Sequence, residues 1–111
     1  MKVINSITIV HSASRNFKEA LDLCIETAKK ENIDVKNILP VNEKGIDKVV
    51  SKKESDLILV IGGDGTMIRT VANLIDHEIP LLGINIGKLG FLTDLNVDSI
   101  SKVLPEVFSG K

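Results

Sequence analysis

Apolar residues along this chain follow two spacings that alternate from its beginning to its end. Continuous runs rich in Val, Ile and Leu, bounded by Gly, Pro or polar residues, predict four strands, at 6–10, 34–39, 57–61 and 80–84. Apolar residues that recur every three or four positions predict helices after Asn16, from Thr66 to about Asp76 and after Asp98, with a weaker pattern over 41–55. This alternation predicts an α/β fold, an open, doubly wound and mainly parallel sheet with helices on both faces.

Particular residues are expected to set the ends of these helices. Asn16 is placed to cap the first helix and Asn32 to end it. Asp98 is the expected cap of the last helix, which Pro105 should kink or shorten. Cys24 lies on the apolar stripe of the first helix, where a small core residue is a more common occupant than a reactive thiol.

Composition restricts the chain to one small domain with an aliphatic core. The 111 residues are 43% hydrophobic but 3% aromatic, without Trp or Tyr, so Val, Ile and Leu must fill the interior. The net charge is −1, so any anion site has to be local. A single cysteine, no signal-peptide pattern at the N-terminus and no apolar run near the roughly 18 residues of a membrane helix predict a cytoplasmic protein.

The most informative stretch is an apolar run that ends in three glycines around one carboxylate. The five aliphatic residues 57–61 suit a strand buried on both faces, and Gly62, Gly63, Asp64 and Gly65 follow at once. The turn therefore sits at the carboxyl end of a strand, the edge where open α/β sheets bind ligands. The helix that follows offers unpaired N–H groups to an anion, and glycines permit positive φ and the close approach of a phosphate.

The carboxylate within this turn has two interpretations, and both stay open from spacing alone. Asp64 would repel a phosphate, so it is expected to do further work, such as holding a metal or accepting a proton. Alternatively, Asp64 simply caps a helix that begins at Thr66, because Asp is a favoured N-cap.

Two further side chains are expected near the same edge. His11 follows the first strand, although a lone His there is more often a loop residue than a catalytic one. Arg69 lies one helical turn after the glycines, so its side chain can lean back toward them, although a solvated arginine is the simpler interpretation.

A second glycine-containing stretch follows the fourth strand and excludes two common nucleotide-binding loops. Too few residues separate Gly83 from Lys88 for a Walker A loop, and Leu89 stands where that loop needs Ser or Thr for magnesium. The Gly-x-Gly-x-x-Gly spacing of dehydrogenases is absent after Ile61.

Together the two stretches resemble one kinase family. Gly-Gly-Asp-Gly-Thr at 62–66 resembles the signature shared by NAD kinases, diacylglycerol and sphingosine kinases and 6-phosphofructokinases, and the continuation at 83–94 closely resembles NAD kinase. The resemblance implies that 1–111 is the N-terminal α/β nucleotide-binding domain, and that a C-terminal β-rich NAD-binding domain is absent from this chain. It also implies transfer of the ATP γ-phosphoryl group to the adenosine-ribose 2′-hydroxyl of NAD, giving NADP, with Mg²⁺ or another divalent metal on the phosphates, in a homo-oligomer.

The same resemblance implies roles for individual residues. Asp64 would be the general base, which accepts the proton of the attacking hydroxyl, and with Gly65 it would contact the dinucleotide. Arg69 falls where the family often has a basic ligand of NAD. The remaining expected site residues, which shape the loops or border the nucleotide, are Gly62, Gly63, Thr66, Asn85 and Phe91.

Two other functions stay open. A lipid-type or sugar-type kinase would share the Gly-Gly-Asp-Gly-Thr motif. A catalytically silent nucleotide-binding or oligomerisation module could also be built from this half alone.

Overall fold

A computed structural model describes residues 4–13, 16–44, 46, 55–74, 78–86 and 95–110. Within them lie five strands: β1 Ser6–His11, β2 Asp34–Pro40, β3 Leu57–Gly62, β4 Leu81–Asn85 and β5 Leu95–Asn96. The helices are α1 Lys18–Lys30, α2 Asp64–Leu74 and α3 Ile100–Phe108, the last preceded by a 3₁₀ turn at Val97–Ser99. None of the helices in these ranges is long and apolar enough to cross a membrane.

The five strands form one sheet in the order β2-β1-β3-β4-β5, and each neighbouring pair is parallel. The predicted doubly wound α/β fold is therefore confirmed. The prediction of four strands missed β5, because its two residues, Leu95 and Asn96, are too few to show an alternating pattern. The predicted short helix within 41–55 falls mostly outside the described residues, although Ile46 is buried.

Two apolar clusters cover the two faces of the sheet. Every residue of β3 is buried, as the uninterrupted apolar run predicts, and successive side chains alternate between the clusters. The first cluster joins one face to the buried residues of α1 and α3, and the second joins the other face to Leu74 of α2 and to Ile46. Helices on opposite faces make the sheet doubly wound.

Helix α1 ends as its sequence predicts. Asn32 adopts a left-handed φ of 57°, and its N–H donates to Lys29 O at 3.2 Å while Ile33 N–H donates to Ala28 O at 2.8 Å. These two bonds form a Schellman motif, which satisfies carbonyls at the end of the helix. At the other end, the N-cap is Phe17 rather than the predicted Asn16, although Asn16 Oδ1 accepts a long hydrogen bond from the Lys18 N–H at 3.4 Å.

The last helix begins differently from the prediction. Asn96 rather than Asp98 caps the 3₁₀ turn that leads into α3. Asn96 Oδ1 accepts hydrogen bonds from the Ser99 N–H at 3.1 Å and from the Ser99 hydroxyl at 3.0 Å. Helix α3 then continues through Pro105 to Phe108, so the proline does not stop it. Three residues spaced by four, Ile100, Leu104 and Phe108, bury its apolar side.

Cys24 is a core residue, as predicted. Its side chain is fully buried in the first cluster, and burial raises the pKa of the thiol to about 12. The thiolate is the reactive form, so this cysteine is chemically inert in the folded protein.

Candidate functional site

A cavity of about 310 Å³ lies at the carboxyl ends of the strands. It is lined by residues that follow β1, β2 and β3, namely Ser12, Ala13, Val41, Gly63, Asp64, Gly65, Thr66 and Arg69. The fold explains this position. The chain leaves β1 toward α1 on one face and leaves β3 toward α2 on the other, so the two adjacent loops diverge and a crevice opens between them.

Backbone hydrogen bonds fix the floor of this crevice. The Ser12 N–H donates to Ile61 O at 2.8 Å, and the Val41 N–H donates to His11 O at 2.8 Å. Each bond continues the pairing of neighbouring strands by one residue beyond the regular sheet. The loops that line the cavity therefore start from rigid positions.

Asp64 is part of the helix rather than its cap. The prediction of a helix that begins at Thr66 is wrong, because α2 begins at Asp64 itself. The half-buried Asp64 lies in the first helical turn, where its negative charge complements the helix dipole, and it lines the cavity. Because Asp64 lines the cavity, its carboxylate can contact a ligand there as well as stabilise the helix.

The glycines are needed for the space that a side chain would fill, and not for a backbone conformation with positive φ. None of Gly62, Gly63 and Gly65 has positive φ, so that part of the expectation is wrong. A Cβ on Gly62 would lie 2.5 Å from Thr66 Oγ1 and 2.7 Å from Thr66 Cβ, which leaves no room for a side chain. A Cβ on Gly63 or Gly65 would meet nothing within 4 Å, so these two leave open space beside the cavity.

This difference predicts opposite effects of two alanine substitutions on stability. Gly62→Ala should lower the free energy of unfolding by about 1–3 kcal/mol, because the new methyl group overlaps Thr66. Gly65→Ala should leave it unchanged or raise it by up to roughly 1 kcal/mol, because alanine is the better helix former and its methyl is unobstructed. Chemical denaturation of both variants measures the two values, and an equal loss in both would contradict the steric argument.

The structure brings most of the predicted site residues together. Arg69 is exposed and reaches the cavity, as the expectation of a side chain leaning toward the glycines required. Asn85 is instead buried at the end of β4, where it pairs in register with Gly62, so it supports the glycine turn and does not line the cavity. Phe91 lies outside the described residues.

No role in the site was predicted for the wall of the cavity that follows β1 and β2, although the parallel sheet was expected to bring Ser12 and Ala13 to the edge of the glycine turn. Ser12, Ala13 and Val41 are small or aliphatic residues without an obvious chemical signature. Only their position in the sequence could have indicated them. Each follows the predicted carboxyl end of a strand, and a parallel sheet places those ends at the same edge as the glycine turn.

His11 lies beside this wall. Its ring stacks on Phe17, with centroids 3.8 Å apart and an interplanar angle of 18°, and its Nδ1 lies 2.9 Å from Ser12 O. His11 is half-buried and is not among the residues that line the cavity. Its link to the site is the contact of its ring with the backbone oxygen of Ser12, a residue that lines the cavity.

The cavity offers a divalent metal few protein ligands. The described ranges contain no group of three or more His, Cys, Asp or Glu side chains that could hold an ion, and Asp64 is the one carboxylate among the lining residues. Such a set does not fit a cage made by protein alone. It fits Mg²⁺, which keeps several waters and is held through one or two carboxylates together with the phosphates of a nucleotide.

A family model and individual relatives of this chain all point to the same kinase family. The family model described as the ATP-NAD kinase N-terminal domain matches residues 6–111. The NAD kinase of Clostridium kluyveri is 38% identical over 94 residues, which are 85% of this chain and 33% of that protein. The NAD kinase of Thiobacillus denitrificans is 50% identical over 58 residues, or 52% of this chain and 20% of that protein.

A solved structure shares the fold. The crystal structure of a diacylglycerol kinase from Bacillus anthracis superposes with a TM-score of 0.65 at 20% identity, covering 96% of this chain and 41% of that one. At this identity the likeness shows the fold alone. The chain spans about a third or less of the length of the curated relatives it matches.

Proposed function

Because the chain belongs to the ATP-NAD kinase family, whose N-terminal domain model it matches over residues 6–111, we propose that it is the N-terminal, nucleotide-binding domain of an enzyme that makes NADP. The reaction transfers the γ-phosphoryl group of ATP to the 2′-hydroxyl of the adenosine ribose of NAD. The observation that carries the proposal is the position of Asp64, at the start of α2 on a cavity with open space beside Gly63 and Gly65.

Asp64 acts as the general base in this proposal. An alcohol is a poor nucleophile until a positioned group accepts its proton, and a carboxylate within hydrogen-bond reach does so as the new O–P bond forms. Asp64 sits at the amino end of a helix that the sheet holds rigidly, since α2 follows β3 directly. The proton passes to its carboxylate while the open space beside Gly63 and Gly65 admits the nucleotide.

Two features of the cavity favour phosphate groups. Arg69 supplies a cation, and the first turn of α2 presents N–H groups without helical partners. Mg²⁺, when bound with ATP, would neutralise charge on the phosphates and would be held by phosphate oxygens and water, which leaves the Asp64 carboxylate to accept the proton. Gly62 and Asn85 act indirectly, by setting the positions of the loops.

The rest of the enzyme is proposed to lie beyond this chain. The cavity formed by the described residues has a volume of about 310 Å³, at the lower limit of small-molecule sites. The relatives are about three to five times as long as the segments that match, which leaves room for a second, β-rich domain that binds the remainder of NAD. We propose that the full-length protein is a cytoplasmic homo-oligomer.

The choice of acceptor tests the proposed function. The full-length parent should form NADP from NAD, ATP and Mg²⁺, and it should not phosphorylate diacylglycerol or fructose 6-phosphate. All three acceptors are assayed in parallel with the same enzyme preparation. Turnover of the lipid or the sugar phosphate without NADP formation would replace this proposal with a lipid or sugar kinase of the same fold, and nucleotide binding without any turnover would favour a silent module.

Replacement of Arg69 tests the proposed contact with the nucleotide. Arg69→Ala in the parent enzyme should raise the KM for NAD roughly tenfold with kcat changed little, because an exposed positioning cation contributes about 1–2 kcal/mol to binding. Arg69→Lys, which keeps the charge, should fall between wild type and Arg69→Ala. Steady-state kinetics measure both constants, and a fall in kcat at unchanged KM would place Arg69 in the chemical step instead.

A further inference from the structure

His11 and Phe17 join the two ends of the loop that forms one wall of the cavity. His11 is the last residue of β1, and Phe17 immediately precedes α1. Their rings are stacked at 3.8 Å, so an aromatic contact joins the end of β1 to the residue that precedes α1. Ser12 and Ala13, which line the cavity, are the first two residues of this loop.

The hydrogen bond of the His11 ring assigns its protonation. Nδ1 lies 2.9 Å from Ser12 O, and a carbonyl oxygen can only accept a hydrogen bond, so Nδ1 carries the proton. The stack on Phe17 fixes the plane of the ring, and the ring in turn restrains the Ser12 carbonyl. The wall is therefore held from two sides, by the Ser12 N–H on Ile61 O and by the His11 ring on Ser12 O.

We propose that His11 is a positioning residue, which holds the wall formed by Ser12 and Ala13 in place against the phosphates of a bound nucleotide. The inference rests on the proposed function and deepens it. The wall belongs to the same cavity as Arg69 and the start of α2, the two features that favour phosphate, so a displaced wall weakens the fit of the polyphosphate. His11 itself does not line the cavity, so it acts through Ser12 and not on the reacting atoms.

Kinetics of the parent enzyme test the proposal. His11→Ala removes both ring contacts, and it should raise the KM for ATP or for NAD roughly tenfold, the scale of one or two hydrogen bonds, with kcat within about a factor of two of wild type. The KM that rises identifies which nucleotide lies against the wall. His11→Phe keeps the stack and loses the hydrogen bond, so its KM should be intermediate.

A double substitution separates positioning from general loss of stability. Phe17→Leu keeps apolar bulk but removes the stack, and it should raise the same KM. Because the stack acts through the ring of His11, the double variant His11→Ala with Phe17→Leu should be no worse than His11→Ala alone. Ile100→Val, at a buried position of α3 that does not line the cavity, should lower the melting temperature without changing either KM.

The outcomes distinguish this inference from the function on which it rests. A wild-type parent that forms no NADP would overturn the proposed function and this inference with it. NADP formation with both KM values unchanged in His11→Ala would overturn the inference alone, as would additive effects in the double variant. If His11→Ala does not fold, long-range ¹⁵N–¹H NMR of the wild-type imidazole decides, because a ring protonated at Nε2 and not at Nδ1 excludes the bond to Ser12 O.

Discussion

Asp64→Asn in the parent enzyme should lower kcat by about two to four orders of magnitude, the effect expected for loss of a general base, while the protein stays folded. Asparagine has nearly the same shape as aspartate and retains a side-chain oxygen, but its amide does not accept a proton from the attacking hydroxyl. The loss of negative charge in the first turn of α2 should cost only about 0.3–1 kcal/mol of stability. Single-turnover formation of NADP, measured beside a thermal melt, gives both quantities.

Asp98→Asn is a matched control for this substitution. Asp98 is also a carboxylate in the first turn of a helical segment, and it is exposed and does not line the cavity. Its replacement should leave kcat unchanged and cost a similar small amount of stability. If Asp64→Asn behaved like Asp98→Asn, with near-normal turnover and a lowered melting temperature, Asp64 would serve only the helix.

The centre of the sheet was predictable because β1 and β3 are buried on both faces. An uninterrupted apolar run such as 57–61 has few alternatives to a central strand, and the glycines after it fix where the strand ends. The short β5 was not predictable, since two residues carry no periodicity. Its position is instead set by pairing with Ile84 and Asn85 of β4, a long-range contact.

Site residues with charged side chains were predictable from the sequence. The exact start of α2 and the need for glycine at position 62 were less so, because they depend on packing. Asp64 and Arg69 stood out by charge beside glycines, and the structure places both on the cavity. The start of α2 was misplaced by two residues, because Asp-Gly is typical both of a turn and of a first helical turn. The contact between Gly62 and Thr66, which makes the glycine necessary, depends on coordinates rather than on residue type.

The finding that Asn96, and not Asp98, caps the 3₁₀ turn before the last helix has a similar cause. Both side chains are favoured N-caps, and only one residue lies between them. The 3₁₀ turn at Val97–Ser99 decides between them, because it brings the Ser99 N–H to Asn96 Oδ1. Local propensity marks the region of a helix start, while the geometry of the first turn selects the residue.

The 111-residue chain by itself should fold but should not form NADP. Its radius of gyration is 12.6 Å, close to the roughly 13 Å expected for a compact domain of this length. Two apolar clusters cover the two faces of the sheet, so the described part of the chain has its own core. Phosphoryl transfer needs acceptor and donor held in line, and positioning can account for roughly 7–11 kcal/mol of a barrier.

That positioning is what the isolated chain should lack. In the proposed parent enzyme a further domain binds the remainder of NAD, so in the isolated chain the acceptor would be held at one end only, even with Asp64 on the cavity. The surface that contacts a further domain in the proposed parent would be exposed in the isolated chain, which should favour self-association. The fold is measured by far-ultraviolet circular dichroism and a melting curve, and the activity by a coupled NADP assay at high protein concentration.

The same chain carrying Asp64→Asn is the control for the activity measurement. A cooperative melt without NADP formation in either chain is the expected result, because the general base has no aligned acceptor on which to act. NADP formed by the unsubstituted chain and abolished by Asp64→Asn would show that this half alone aligns both substrates. The active site would then be completed by residues of this chain, or by a second copy of it, rather than by a further domain.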